Sequence, residues 1–215
     1  MAQDRTSVPS EFPAAEHLRP PRLGPSSAEL SPRLREILDQ LESIFVEEGF
    51  HHLTVSDLAA RLKCSRRTLY EIASSRDELV LVVVDRRLRR IGRQARKQMG
   101  DVTEPAELFA AFLTVPFQEL HRHSARFSTD IARQPALERL FTTHRRYYVA
   151  ILRSIVDAGV RAGQLRPFNS AVVAELVDAG MERFWQPRFL TETGLSYEDV
   201  VSELSAVVRQ ALMKP

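Results

Sequence analysis

Ser65, Arg66, Arg67 and Thr68 stand in a row, followed by Leu69, Tyr70 and Ile72. Cations and hydroxyls in the first turn of a very short helix can meet phosphates and base edges in a DNA major groove, while Leu69 and Ile72 turn inward. The stretch that carries them runs from Thr54 to Leu79. It reads as two short helices, a turn at Lys63 and Cys64, and the start of a longer helix. Cap spacing marks the breaks: Thr54 with Asp57, Ser65 before the second helix, and Ser75 with Glu78. Leu58, Ala59 and Leu62 share one face of the first helix. A helix-turn-helix that reads DNA is one interpretation; a solvated charged face on a three-helix bundle is the other.

Charge favours the first interpretation. The 215 residues carry a net charge of only +2, yet Arg61 to Lys97 holds 12 Lys and Arg against 4 Asp and Glu. One basic segment in an otherwise acidic chain is what a surface meeting phosphates requires. At 44% hydrophobic and 27% charged residues the chain can bury a real core. A single cysteine, Cys64, excludes an internal disulfide and a cysteine-based zinc site. The opening residues carry no apolar signal segment, and the longest apolar runs, Leu79 to Val84 and Leu108 to Leu113, are too short to span a bilayer. A cytoplasmic protein with no membrane partner is expected. His51-His52 and His121-x-His123 diverge on a helix, so no metal is expected. No phosphate loop, nucleophile elbow or paired catalytic signature occurs, so neither enzymatic activity nor a cofactor is expected.

From about Ser31 to Leu88 the chain resembles the N-terminal domain of the TetR (tetracycline repressor-like, TetR/AcrR) transcriptional regulators. That family shares a run T-hydrophobic-x-[DE]-[IL]-A, a turn, S-x-x-T-[LI]-Y, then S-[KR]-[DE]-x-L. The counterparts are Thr54 to Ala59, Ser65 to Tyr70 and Ser75 to Leu79, in register without a gap. The resemblance implies a sequence-specific transcriptional regulator, a repressor released by a small apolar effector, working as a homodimer on a palindromic operator of double-stranded DNA. It places Arg66, Arg67, Thr68 and Tyr70 at the groove and its flanking phosphates, has Thr54, Ser65 and Arg76 hold phosphates, and brings Arg33 towards the DNA backbone. It implies an effector site among Phe109, Phe112, Phe127, Tyr147, Tyr148 and Trp185, each of which can also be plain core. Three positions depart from the pattern: Ala73 where an aromatic is usual, Lys63 where Gly is usual, and Arg76 for Lys. Ala73 and Lys63 support a rival reading, a helical ligand-binding or protein-interaction module with a decayed DNA-reading head.

The elements that must position these residues are all helical. Residues 1–30 are rich in Pro and lack periodicity, which predicts a disordered tail. Residues 31–76 form the helix-turn-helix domain, entered by a helix capped at Ser31 and ended by Gly49. Residues 77–215 form an all-α effector-binding and dimerisation domain. It starts with a long helix from Arg76 to Met99, apolar nearly all round in its first half and basic in its second. Those distal arginines are expected to point away from DNA and pair with acidic residues, with a plain solvated face as the other reading for Arg89 to Lys97. About five further helices follow, with breaks at Pro135, Gly163 and Pro167. The last two pair with a second copy in the family.

Overall fold

The computed structural model describes residues 15, 17–26, 28–100, 102, 104–120, 123–184 and 187–212. All the regular elements among them are α-helices: α1 Pro32–Glu48, α2 Val55–Arg61, α3 Arg66–Tyr70, α4 Arg76–Met99, α5 Pro105–Leu120, α6 Ala125–Ala132, α7 Pro135–Arg161, α8 Ser170–Phe184, α9 Pro187–Thr193 and α10 Tyr197–Leu212. The caps set the boundaries. Ser31 Oγ accepts the Leu34 N–H at the start of α1, and the Gly49 N–H closes its end on the Phe45 carbonyl. Gly49 adopts φ 78°, open to glycine at little cost. At α4 the cap is offset by one residue. Ser75 Oγ accepts the Glu78 N–H, while the Glu78 carboxylate reaches the Ser74 N–H and hydroxyl rather than Ser75.

The chain divides into two compact units. The first comprises Pro20–Arg90 and Arg122–His144; the second takes Met1–Arg19, Ile91–His121 and Arg145–Pro215. The sequence put a boundary after Arg76, but the packing divides α4 between Arg90 and Ile91. The reason is Leu79 to Val84. Leu79, Val80, Val82, Val83 and Val84 are each at most 3% exposed and belong to the first core, with Ile37, Leu41 and Phe45 of α1, Leu58 of α2 and Leu69 of α3. In the second unit α5 packs on α10, and Phe109, Phe112, Leu152, Ile155 and Met181 centre the core.

The disordered tail expected over 1–30 does not hold for its second part. Pro20 and Leu30 are buried, and the Leu23 N–H donates to Asp85 Oδ2 at 3.0 Å. Arg89 Nη2 donates to the Pro20 carbonyl at 2.8 Å. Gly24, at φ 74°, lies so close to α4 that an added Cβ would sit 2.8 Å from Val82 Cγ1. Prolines that suggest a solvated chain also suit an extended strap with no helix to form. Pro187 is the first residue of the separate α9, where its missing N–H costs no helix bond.

Candidate nucleic-acid interface

α3 is five residues long and holds by one anchor. Leu69 is 1% exposed in the first core, and burying such a side chain contributes about 1.5–3 kcal/mol. Ser65 caps the helix, accepting the Thr68 N–H at 3.0 Å and sharing a 2.9 Å hydrogen bond with the Thr68 hydroxyl. On the outer side Arg66 and Arg67 are exposed and make no hydrogen bond or ion pair among the described residues. Tyr70 is 51% exposed. An arginine fork left free beside a large, half-exposed aromatic is chemistry for a phosphate or a base edge.

The turn before α3 carries the one non-glycine residue with positive φ among the described residues, Lys63 at 49°. This is the left-handed conformation expected where the TetR pattern has Gly, and it strains a side-chain-bearing residue modestly. Ala73, where an aromatic is usual, is 5% exposed, in a core that holds Phe50 against Phe45 at 5.5 Å and Phe127 at 6.0 Å.

Thr54 caps α2 in a reciprocal box. Its Oγ1 accepts the Asp57 N–H at 3.2 Å, and the Asp57 carboxylate accepts the Thr54 N–H and hydroxyl. Those hydrogen bonds hold the Asp57 carboxyl below its ordinary pKa. Arg33, on α1, forms an ion pair with Glu36 at 2.7 Å and donates to the Leu62 carbonyl at 3.1 Å, covering the C-terminal end of α2. Arg76 is more engaged still. Its Nε donates to the Leu53 carbonyl at 2.7 Å, one Nη donates to the Phe50 and His51 carbonyls, and the other meets Asp77 at 3.0 Å. The pattern missed Asp130, whose Oδ2 accepts the Phe50 and His51 N–H groups at 2.7 and 2.8 Å. Its signal was an acid three residues after Phe127, on the apolar face of α6.

Behind the head, the second half of α4 pairs with α1. Arg87 is 4% exposed and meets Glu42 at 2.9 Å, Arg90 meets the same carboxylate at 2.5 Å, and Arg86 meets Asp39 at 2.7 Å. The expectation of paired distal arginines holds for these residues.

The residues expected at an effector site separate. Phe109, Phe112, Tyr147 and Tyr148 share the second core, with Phe112 and Tyr148 stacked at 4.6 Å. Tyr147 Oη accepts from Arg96 at 3.0 Å. Phe127 does not join them; it sits in the first core beside Phe50 and His123. Its neighbours in sequence turn it onto α1, which a helical periodicity alone could not show. Trp185 lies outside the described residues. The Tyr148 hydroxyl is buried without a hydrogen-bond partner among the described residues. Burial, and then the charge of Asp178, push its pKa well above the ordinary value, so it stays a neutral donor.

Residues 37–83, which span α1 to α4, match the family described as bacterial regulatory proteins, tetR family. That stretch of the chain is similar to the family's helix-turn-helix domain. An uncharacterized HTH-type transcriptional regulator of Mycobacterium tuberculosis is 32% identical over 109 residues, 51% of this chain and 48% of that protein. The chain thus spans about half the length of the curated relatives it matches. Solved structures share the fold over most of the chain. A proposed transcriptional regulator from Saccharomonospora viridis in complex with choline superposes with TM-score 0.73 at 13% identity, over 86% of this chain and 100% of that one. A TetR transcriptional regulator from Chloroflexus aurantiacus gives 0.69 at 18%, over 85% and 97%. A SmeT–triclosan complex gives 0.66 at 16%, over 86% and 93%. Residues 37–83 of the first unit therefore match a TetR-type helix-turn-helix, with α3 as the second of its two short helices.

Proposed function

We propose that this chain is a homodimeric TetR-family regulator of transcription, a repressor that binds a palindromic operator and is released by a small molecule. The observation that carries it is α3, with Leu69 locked inward and Arg66, Arg67 and Tyr70 outward and without a hydrogen bond or ion pair among the described residues. Arg66 and Arg67 reach base edges or flanking phosphates, Thr68 and Tyr70 line the groove, and Thr54 and Ser65 present the capped helix starts to the backbone. Val172 and Leu176 on α8 and Val207 on α10, 65%, 73% and 59% exposed, support pairing with a second copy. The effector reading rests on Phe109, Phe112, Tyr147 and Tyr148, an aromatic group with one unpaired buried donor. An apolar body carrying a hydrogen-bond acceptor suits it. The ligand-bound structures of similar fold make that class of partner reasonable.

Selection of bound duplexes from a random library, then titration of the winner at two salt concentrations, tests this reading. A palindromic motif with a steep salt slope is expected. Absence of any enriched motif would remove DNA reading.

A further inference from the structure

We propose that Arg76 is a positioning residue for DNA reading, not a phosphate contact, and that with Asp130 it fixes the Phe50 to Leu53 backbone from which α2 and α3 hang. The inference rests on the DNA-binding reading above. The residue pattern alone would give the Arg76 cation to a phosphate. The structure engages four of its five guanidinium donors inside the chain, at the carbonyls of Phe50, His51 and Leu53 and at Asp77. Its side chain is 27% exposed.

The opposite polarity of the same backbone is held from α6. Asp130 is 3% exposed, and its carboxylate takes the N–H groups of Phe50 and His51. An anion therefore holds two N–H groups while a cation holds the carbonyls of the same two residues. Charge-assisted hydrogen bonds are short and directional, so the segment is fixed along two directions. α6 also sits tightly on this turn. The Ser124 N–H donates to the Val46 carbonyl at 2.9 Å, and a Cβ on Gly49 would lie 2.6 Å from both Arg126 Cγ and Asp130 Oδ2. α2 begins two residues after Leu53, so any slack in the clamp becomes a tilt of the reading helices. A recognition site works only when its supports hold it within a fraction of an ångström. Lysine at position 76 would keep the charge but offers one point of donors, not a fork that reaches carbonyls spread over four residues.

The test uses the full chain and its selected duplex, with Arg76→Lys, Arg76→Gln and Asp130→Asn. All three should weaken operator binding by roughly tenfold or more, from lost charged hydrogen bonds. The slope of log affinity against log salt and the binding of unrelated DNA should stay as in the parent. Amide exchange over residues 49–54 should quicken. Asp130→Asn is the sharpest arm, because removing an anion would by electrostatics alone strengthen DNA binding. Arg76→Lys that binds like the parent, with Arg76→Gln giving a slope shallower by about 1 per subunit, would make Arg76 a phosphate contact and overturn the proposal. Unchanged operator affinity in all three would overturn it too. If the parent selects no duplex, the DNA reading falls by itself, and amide exchange still decides the clamp: unchanged exchange in Arg76→Lys sinks it.

Discussion

The two units leave opposite kinds of surface unpaired, and treat a buried carboxylate in opposite ways. In the first unit the exposed face of α3 is cationic, at Arg66 and Arg67. In the second, α8 and α10 expose large apolar side chains, Val172, Leu176 and Val207. Asp85 in the first unit is 1% exposed, and burial alone would raise its pKa. Hydrogen bonds from His144, Arg89 and the Leu23 N–H outweigh that and lower it. Asp178 in the second unit is 7% exposed, and there burial outweighs the Arg145 ion pair at 2.8 Å and the pKa rises. Charge is met from within at one end and incompletely met at the other. On the proposed reading these are the partners' places: a polyanion at α3 and a second apolar surface at α8 and α10.

The largest expected effect is on the apolar face. Leu176→Asp places a charge where a second copy should pack, and loss of a central apolar anchor costs about 2 kcal/mol or more of association. Sedimentation should show monomers with an unchanged helical spectrum, since Leu176 is 73% exposed in the single chain. A mass identical to the parent would break the comparison. Next is Arg67→Ala. It should leave the dimer intact and weaken operator binding by about 1–3 kcal/mol with relaxed preference at one base, if the guanidinium reads a base edge. Uniform weakening across sequences, with a shallower salt slope, would assign it to phosphate; unchanged gel shifts would remove it from the interface.

The smallest effect separates the carboxylates by pH. Asp85 has a folded pKa below its unfolded value, so its stabilisation is present above about pH 3.9 and is lost as pH falls through the folded value. Asp178 has a folded pKa above its unfolded value, so its contribution is present below about pH 3.9 and is lost as pH rises through the folded value. Urea midpoints against pH should therefore shift in opposite senses for Asp85→Asn and Asp178→Asn. Parallel shifts would sink the contrast.

The reading head was legible because its signals are local. Thr54, Ser65 and Ser31 cap through contacts three residues away, and Leu69 with Arg66 and Arg67 sorts itself by helical spacing. Even the positive φ at Lys63 follows from its place in the turn. The clamp was not legible, because Asp130 and Phe50 are 80 positions apart and meet only after folding. For the same reason the aromatic residues gave no hint that Phe127 and Phe112 belong to different cores, or that residues 20–25 lie along α4.

The sequence by itself determined most of the helices, the caps at Ser31, Thr54 and Ser65 and the outward cations of α3, since each depends on neighbours within one turn. Tertiary structure alone decided which charges remain available. It engaged Arg76 with backbone carbonyls, buried Arg87 against Glu42 and left Arg66 and Arg67 without a partner among the described residues, because a long cationic side chain bonds to whichever acceptor the fold brings within reach.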